Sequence, residues 1–263
     1  MNIFDVHIKN GEVIDGTGAP KFKSDIVIDK GKIIGVFPAE NGDVRDPSEN
    51  HFLSNFKAKH TINAENKIIS PGFIDVHTHD DDNVFLDPSM SSKISQGVTT
   101  CVAGNCGISL APFSYKGEVP APIALLGKSE VFRFPRVSDY KEEFNNKPSS
   151  VNLALLTGHS MLRVEAMNGE FARPATTKEI SKMVDKLKLA LEDGSIGLST
   201  GLAYPAANDA PTSEIIELAK ILPEFNGIFT THMRNEAVDV IKSVNETINI
   251  SSTAKVRTVI SHH

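Results

Sequence analysis

Apolar and polar residues alternate at the start of the chain. Phe4, Val6 and Ile8 are separated by polar residues, the period-two signature of a half-buried strand. Asn10-Gly11 predicts a turn, Val13-Ile14 follows, and Asp15-Gly16-Thr17-Gly18 turns again. The apolar runs 25–28 and 32–36 flank Asp29-Lys30-Gly31, a hairpin signal. Residues 38–56 have little periodicity and read as a loop, and His60 to Ala64 return as a strand. The pattern predicts a small antiparallel β domain over residues 1–66. It carries no reactive constellation, so a scaffold role is assigned to it, and His7, His51 and His60 are set aside.

From residue 67 to 263 the rhythm becomes strand, loop, helix. Strands are predicted over 73–77, 98–103, 151–156, 196–199, 227–232 and 256–261. The clearest helix opens on Thr176-Thr177-Lys178-Glu179, a capping box. Ile180, Met183, Val184, Leu187 and Leu191 follow at helical spacing, and Asp193-Gly194 closes it. A second helix runs from about Ser213 to Leu222 and stops at Pro223. A third, Glu236 to Ile248, is predicted to bury Ala237, Val240, Ile241, Val244 and Ile248. Strands alternating with helices imply a parallel sheet. A closed (β/α)8 barrel of the TIM type needs eight strands, whereas six are readable, the last running into His263. The expectation is an incomplete α/β barrel lacking its last strands.

Composition narrows the classes. The 263 residues carry 33 acids against 27 bases, a net charge of −6. That disfavours a nucleic-acid partner, which would show as a basic excess. Two cysteines are too few for a disulfide scaffold and suit a reducing cytosol. Neither a signal peptide nor an apolar run of membrane-spanning length is visible. The expectation is a cytoplasmic protein with no membrane partner.

The candidate chemistry lies at strand ends. In a strand, residues i and i+2 share a face, so His77 and His79 project together after the first barrel strand. The second strand leads to Gly104-Asn105-Cys106-Gly107, the fifth ends at His232, and the sixth at His262-His263. Each alone is a weak signal. Their common placement is the strong one, because the C-terminal strand ends of a barrel face one mouth. Cys101, inside its strand, reads as a small buried hydrophobe, and Cys106, outside the apolar run, as a functional thiolate. His159 is left between a ligand and a core histidine, and His263 between a ligand and a surface residue. Asp80 is undecided between substrate positioning and loop, and Asp81 and Asp82 are read as solvated loop.

The run Pro71-Gly72-Phe73-Ile74-Asp75-Val76-His77-Thr78-His79 resembles the strand-1 signature of the amidohydrolase superfamily. Gly97-Val98-Thr99-Thr100, Gly104-Asn105-Cys106-Gly107, Gly197 to Pro205, Thr231 to Glu236 and Ser261-His262-His263 resemble its N-acyl-D-amino-acid deacylase branch. The glycine-flanked cysteine is the discriminating feature, because hydantoinase and dihydroorotase relatives usually bridge two metals with a carboxylated lysine. The resemblance implies a (β/α)8 barrel with a small N-terminal β-sandwich, and a zinc site. Cys106, His232 and His262 would hold one tight Zn2+, and His77 and His79, sharing Cys106, a second, weaker one. Tyr204 would hold the substrate near its carboxylate, the substrate being a small N-acyl-D-amino acid hydrolysed to a carboxylate and a D-amino acid. A Cys/His2 set with an open fourth position is itself a catalytic zinc pattern.

The resemblance also implies a catalytic aspartate at the end of the last barrel strand, and no aspartate within residues 1–263 matches it. The chain is therefore expected to be C-terminally truncated and inactive alone, with unpaired sheet edges that invite association. The competing readings are a dihydroorotase-like or other amide hydrolase of the superfamily, and a non-catalytic barrel fragment.

Overall fold

The computed structural model describes residues 2–38, 55–116, 119–121 and 123–262. Most of the loop expected over 38–56, with His51, lies outside the described residues, as does His263. Two compact units are present, residues 1–72 and 73–263; the boundary expected from the sequence was 66/67.

In the first unit the strands β1 (Asn2–Val13), β2 (Phe22–Asp29), β3 (Lys32–Pro38) and β4 (Phe56–Asn63) lie in the order β3-β2-β1-β4, and β5 (Ile68–Ile69) also pairs with β1. The hairpin between β2 and β3 forms where the sequence marked it. Lys30 and Gly31 both take positive φ, 50° and 73°, the pattern of a type I′ turn. Two expectations are corrected. The sheet is mixed, because β1 pairs parallel with both β4 and β5. Asn10-Gly11 does not turn the chain; it forms a bulge within β1, with Asn10 at φ 63°. The left-handed preference that favours a turn serves a bulge equally well. His7 is buried against Asp25, 2.7 Å away.

In the second unit parallel strands follow in the order β6 (Phe73–Asp75), β7 (Val98–Ala103), β10 (Asn152–Leu155) with β11 (Thr157–Gly158), β12 (Gly197–Gly201), β13 (Ile228–His232) and β14 (Arg257–Ile260). β10 and β11 are one line of chain interrupted at Leu156. A short antiparallel pair, β8 (Phe113–Ser114) and β9 (Arg133–Phe134), stands apart. The helices are α1 (Asn83–Leu86), α2 (Ser91–Ile94), α3 (Val137–Asn146), α4 (His159–Ala166), α5 (Thr177–Glu192), α6 (Thr212–Ala219) and α7 (Val240–Ala254). This alternation is the wall of a TIM-type (β/α) barrel. It places the C-terminal ends of β6, β7, β13 and β14 on one rim.

Helix α5 begins as its sequence demands: Thr176 Oγ1 accepts from the Glu179 N–H, and the Glu179 carboxylate accepts from the Thr176 N–H. It buries Met183, Leu187, Ala190 and Leu191. Helix α7 departs from expectation. Its inward residues are Ser243, Thr247, Ile250 and Ala254, while Ile241 and Ile248 are exposed. The inward hydroxyls are satisfied locally, Ser243 accepting from the Asn235 N–H and Thr247 donating to the Ser243 carbonyl. Polar residues that bring their own partners can face a core at little cost.

Candidate metal centre

Four strand ends deliver five side chains to one place. His77 and His79 follow β6, Cys106 follows β7, His232 closes β13 and His262 follows β14. Within each of two triads, His77/His79/Cys106 and Cys106/His232/His262, the ligand atoms lie within 4.8 Å of one another. Cys106 belongs to both. Its Sγ lies 3.3 Å from His77 Nε2 and 3.4 Å from His262 Nε2. A tetrahedral zinc with ordinary Zn–S and Zn–N bonds has a ligand-to-ligand edge of about 3.5 Å, so these spacings fit. The His77 and His262 rings are 4.5 Å apart, and those of His232 and His262 are 4.7 Å apart.

Electrostatics favours the same reading. Burial, with the neighbouring imidazoles, pushes the His77 pKa down to about 4 and lowers that of His79. Both rings are thus held neutral, the form that binds metal. Burial and the nearby Glu236 carboxylate push the Cys106 thiol up to about 11. A thiolate here therefore needs a cation beside it. His79 Nδ1 is buried with no hydrogen-bond partner among the described residues. Neutral imidazoles, a thiol that ionises only against positive charge and an orphaned ring nitrogen are a donor set that fits a metal ion.

The loop carrying Cys106 is shaped by backbone geometry that sequence hardly reveals. Cys106 has φ 54°, left-handed and costly for a residue with a Cβ. Gly104 has φ 81°, and a Cβ added there would lie 2.2 Å from the Leu156 carbonyl oxygen. Gly104→Ala is therefore expected to lower stability by more than about 2 kcal/mol and to reduce metal binding. Thermal unfolding beside metal analysis measures both, and a variant with unchanged melting would contradict the close packing described.

The acidic run after His79 is not solvated loop. Asp81 has no exposed surface, and its carboxylate accepts from the Gly104 and Leu110 N–H groups at 3.2 and 3.3 Å. Tyr140 donates to its carbonyl at 2.6 Å. Burial raises its carboxyl to about 7 despite those bonds. Asp82 is buried as well. Sequence reasoning missed these roles because three consecutive aspartates give no periodicity. Lys93, also missed, reaches Asp75 at 2.8 Å and Asp80 at 2.9 Å, bracketing the two histidines. Burial opposes its charge, but those bonds outweigh it and hold the ammonium above the ordinary lysine range.

Tyr204 Oη lies 3.2 Å from His232 Nδ1, and Glu236 Oε1 lies 3.8 Å from His232 Nε2. His159 is not part of the cluster. It starts α4, fully buried, with Nε2 2.9 Å from Glu214 Oε1. Glu214 also accepts from Arg163 at 2.6 Å, and Arg163 donates to the carbonyls of Ala206, Phe171 and Arg173. Cys101 is buried within β7, as its position in the apolar run suggests.

Residues 60–256 match the Amidohydrolase family. The chain is 40% identical over 261 residues to a D-aminoacylase of Alcaligenes xylosoxydans xylosoxydans, covering 99% of this chain and 50% of that protein. Among solved structures, a crystal structure of D-aminoacylase superposes with a TM-score of 0.88 at 42% identity, over 99% of this chain and 52% of the other. An N-acyl-D-glutamate deacylase from Bordetella bronchiseptica, in complex with zinc and a phosphonate mimic of the tetrahedral intermediate, superposes with a TM-score of 0.89 at 38% identity, over 100% of this chain and 52% of the other. The chain spans about half the length of the curated relatives it matches.

Proposed function

The chain belongs to the amidohydrolase family, and from that premise we propose that its strand-end cluster binds zinc and serves hydrolysis of the amide bond of N-acyl-D-amino acids. The observation that carries this reading is the position of Cys106, shared between two histidine pairs that come from opposite ends of the barrel wall. The named activity of the relatives supports the substrate class.

In this reading Cys106, His232 and His262 hold the tight Zn2+, and His77 and His79 with Cys106 form the weaker position. Bound zinc would supply the positive charge that polarises the scissile carbonyl and lowers the pKa of water toward ~7. The chain's own residues prepare that chemistry. The buried environment keeps His77 and His79 neutral. Tyr204 steadies His232 through Nδ1 and offers its hydroxyl to the substrate near the carboxylate. Proton transfer is assigned to none of the aspartates in residues 1–263.

Zinc-loaded protein assayed against N-acyl-D-amino acids, their L enantiomers and cyclic amides tests the proposal. Turnover of the linear D compounds alone is expected. Preference for cyclic amides would move the chain to the dihydroorotase-like alternative. Zinc binding with no turnover of either class would favour a non-catalytic barrel piece.

A further inference from the structure

Ser199 lies in the middle of β12 with no exposed surface. Its hydroxyl donates to the Gly104 carbonyl at 2.5 Å and accepts from the Gly107 N–H at 3.0 Å. Those peptide groups flank Cys106. The intervening backbone cannot join the sheet ladder, because Gly104, Cys106 and Gly107 all have positive φ, 81°, 54° and 75°. A buried peptide group must find a partner elsewhere, and here both partners are one hydroxyl, used as donor and acceptor at once.

We propose that Ser199 is the positioning residue for the cysteine ligand: its hydroxyl locks the loop in the left-handed turn that aims Sγ at both histidine pairs. The strand it comes from sharpens the point. β12 pairs directly with β13, and Ser199 stands opposite Thr230, two residues before His232. One hydroxyl therefore sets the Cys106 loop against the strand that presents its partner ligand. On the other side Ser160 donates its N–H to the Gly107 carbonyl, and Asp81 accepts from the Gly104 N–H. Of these groups only the Ser199 side chain touches both peptides that bracket the cysteine. Ser199 contacts none of the five candidate ligands through its side chain in the described hydrogen bonds, so it acts through the backbone. Groups that hydrogen-bond a metal ligand directly contribute about 10–100-fold in metal affinity, and Ser199, acting on the same ligand through its backbone, is expected to have an effect within that span.

The inference rests on the metal reading above, and the experiment separates the two. Zinc affinity is measured by chelator competition, and the thiolate-to-cobalt charge-transfer band is recorded on the cobalt-loaded chain, for the unmodified protein, Ser199→Ala and Ser199→Thr. The alanine variant is expected to keep its circular dichroism, lose zinc affinity by about 10–100-fold and show a weakened cobalt–thiolate band. The threonine variant, which retains the hydroxyl, is expected to retain both. Zinc affinity in Ser199→Ala within about threefold of the unmodified chain, well short of that range, would overturn the inference while leaving the metal site standing. Equal losses in both variants would also overturn it, since they would trace to packing. If Ser199→Ala does not fold, amide exchange at Gly107 in the unmodified, metal-free chain decides. Strong protection is expected, and exchange at the rate of an exposed loop amide overturns it. Absence of zinc binding by the unmodified chain overturns the metal reading itself.

Discussion

Cys106→Ala is expected to abolish zinc binding at both positions at once. Cys106 is the one residue common to the two triads, and without it each position keeps only two imidazoles. A zinc site built from protein side chains ordinarily needs three or four ligands. Zinc by elemental analysis should fall from about one equivalent to below about a tenth, a difference set by that ligand count. The fold should survive, because the thiol is small and its pKa of about 11 keeps it neutral in the metal-free chain. Cys101→Ala is the matched control. It removes an equally buried thiol from the interior of β7, and zinc content should not change. A full equivalent of zinc in Cys106→Ala would refute the ligand assignment.

Glu214→Ala is expected to cost about 3–5 kcal/mol of folding stability, the range for breaking a buried ion pair from one side. Arg163 and Glu214 have no exposed side-chain surface, and removing the carboxylate would leave the guanidinium charge uncompensated. Arg163 also gathers three backbone carbonyls from the loops around α4 and α6, so its displacement would loosen that side of the barrel wall. Urea unfolding of the metal-free protein measures the effect, and a cost below about 1 kcal/mol would contradict this account. The pair has a pH signature too. Burial alone would raise the Glu214 carboxyl, but the hydrogen bonds from His159 and Arg163 outweigh it and hold the pKa below the ordinary value. A depressed carboxyl stabilises the fold above its unfolded pKa of about 4.3, and that contribution drains away as pH falls through the folded value. The unmodified chain should lose stability below about pH 4, and Glu214→Gln should lack that part of the acid dependence.

Placement at strand ends drew attention to the His77/His79 pair, Cys106, His232 and the His262-His263 pair, and the resemblance to the deacylase branch selected the five candidate ligands among them. His77, His79, Cys106, His232 and His262 required no side-chain geometry to nominate. What surrounds them was not legible. Asp81 looks like a solvated acid because nothing local announces the Gly104 and Leu110 N–H groups it meets across the fold. Ser199 sits within Gly197-Leu198-Ser199-Thr200-Gly201, and its hydroxyl acquires meaning only when the cysteine loop crosses it. His159 was undecidable from sequence because its partner, Glu214, lies 55 residues away. Asn10-Gly11 carries a turn signal yet forms a bulge, because turns and bulges draw on the same left-handed preference. Periodicity reports which face an element buries only when the buried residues are apolar, and α7 breaks that condition.

Helix α7 also inverts the usual guide to mutational tolerance. Ser243 and Thr247 look like surface positions, yet they face inward at 4% exposure each. Their short side chains let the helix lie close to α6 and β14. Lengthening either one would push the helix off the sheet and open the layer beneath it. Ile241 and Ile248 look like core positions, yet they are 71% and 56% exposed. Charged residues should be accepted there and refused at Ser243 and Thr247. At these four positions the hydroxyl residues are the constrained ones and the isoleucines the permissive ones, while Ile250 and Ala254 remain ordinary buried core.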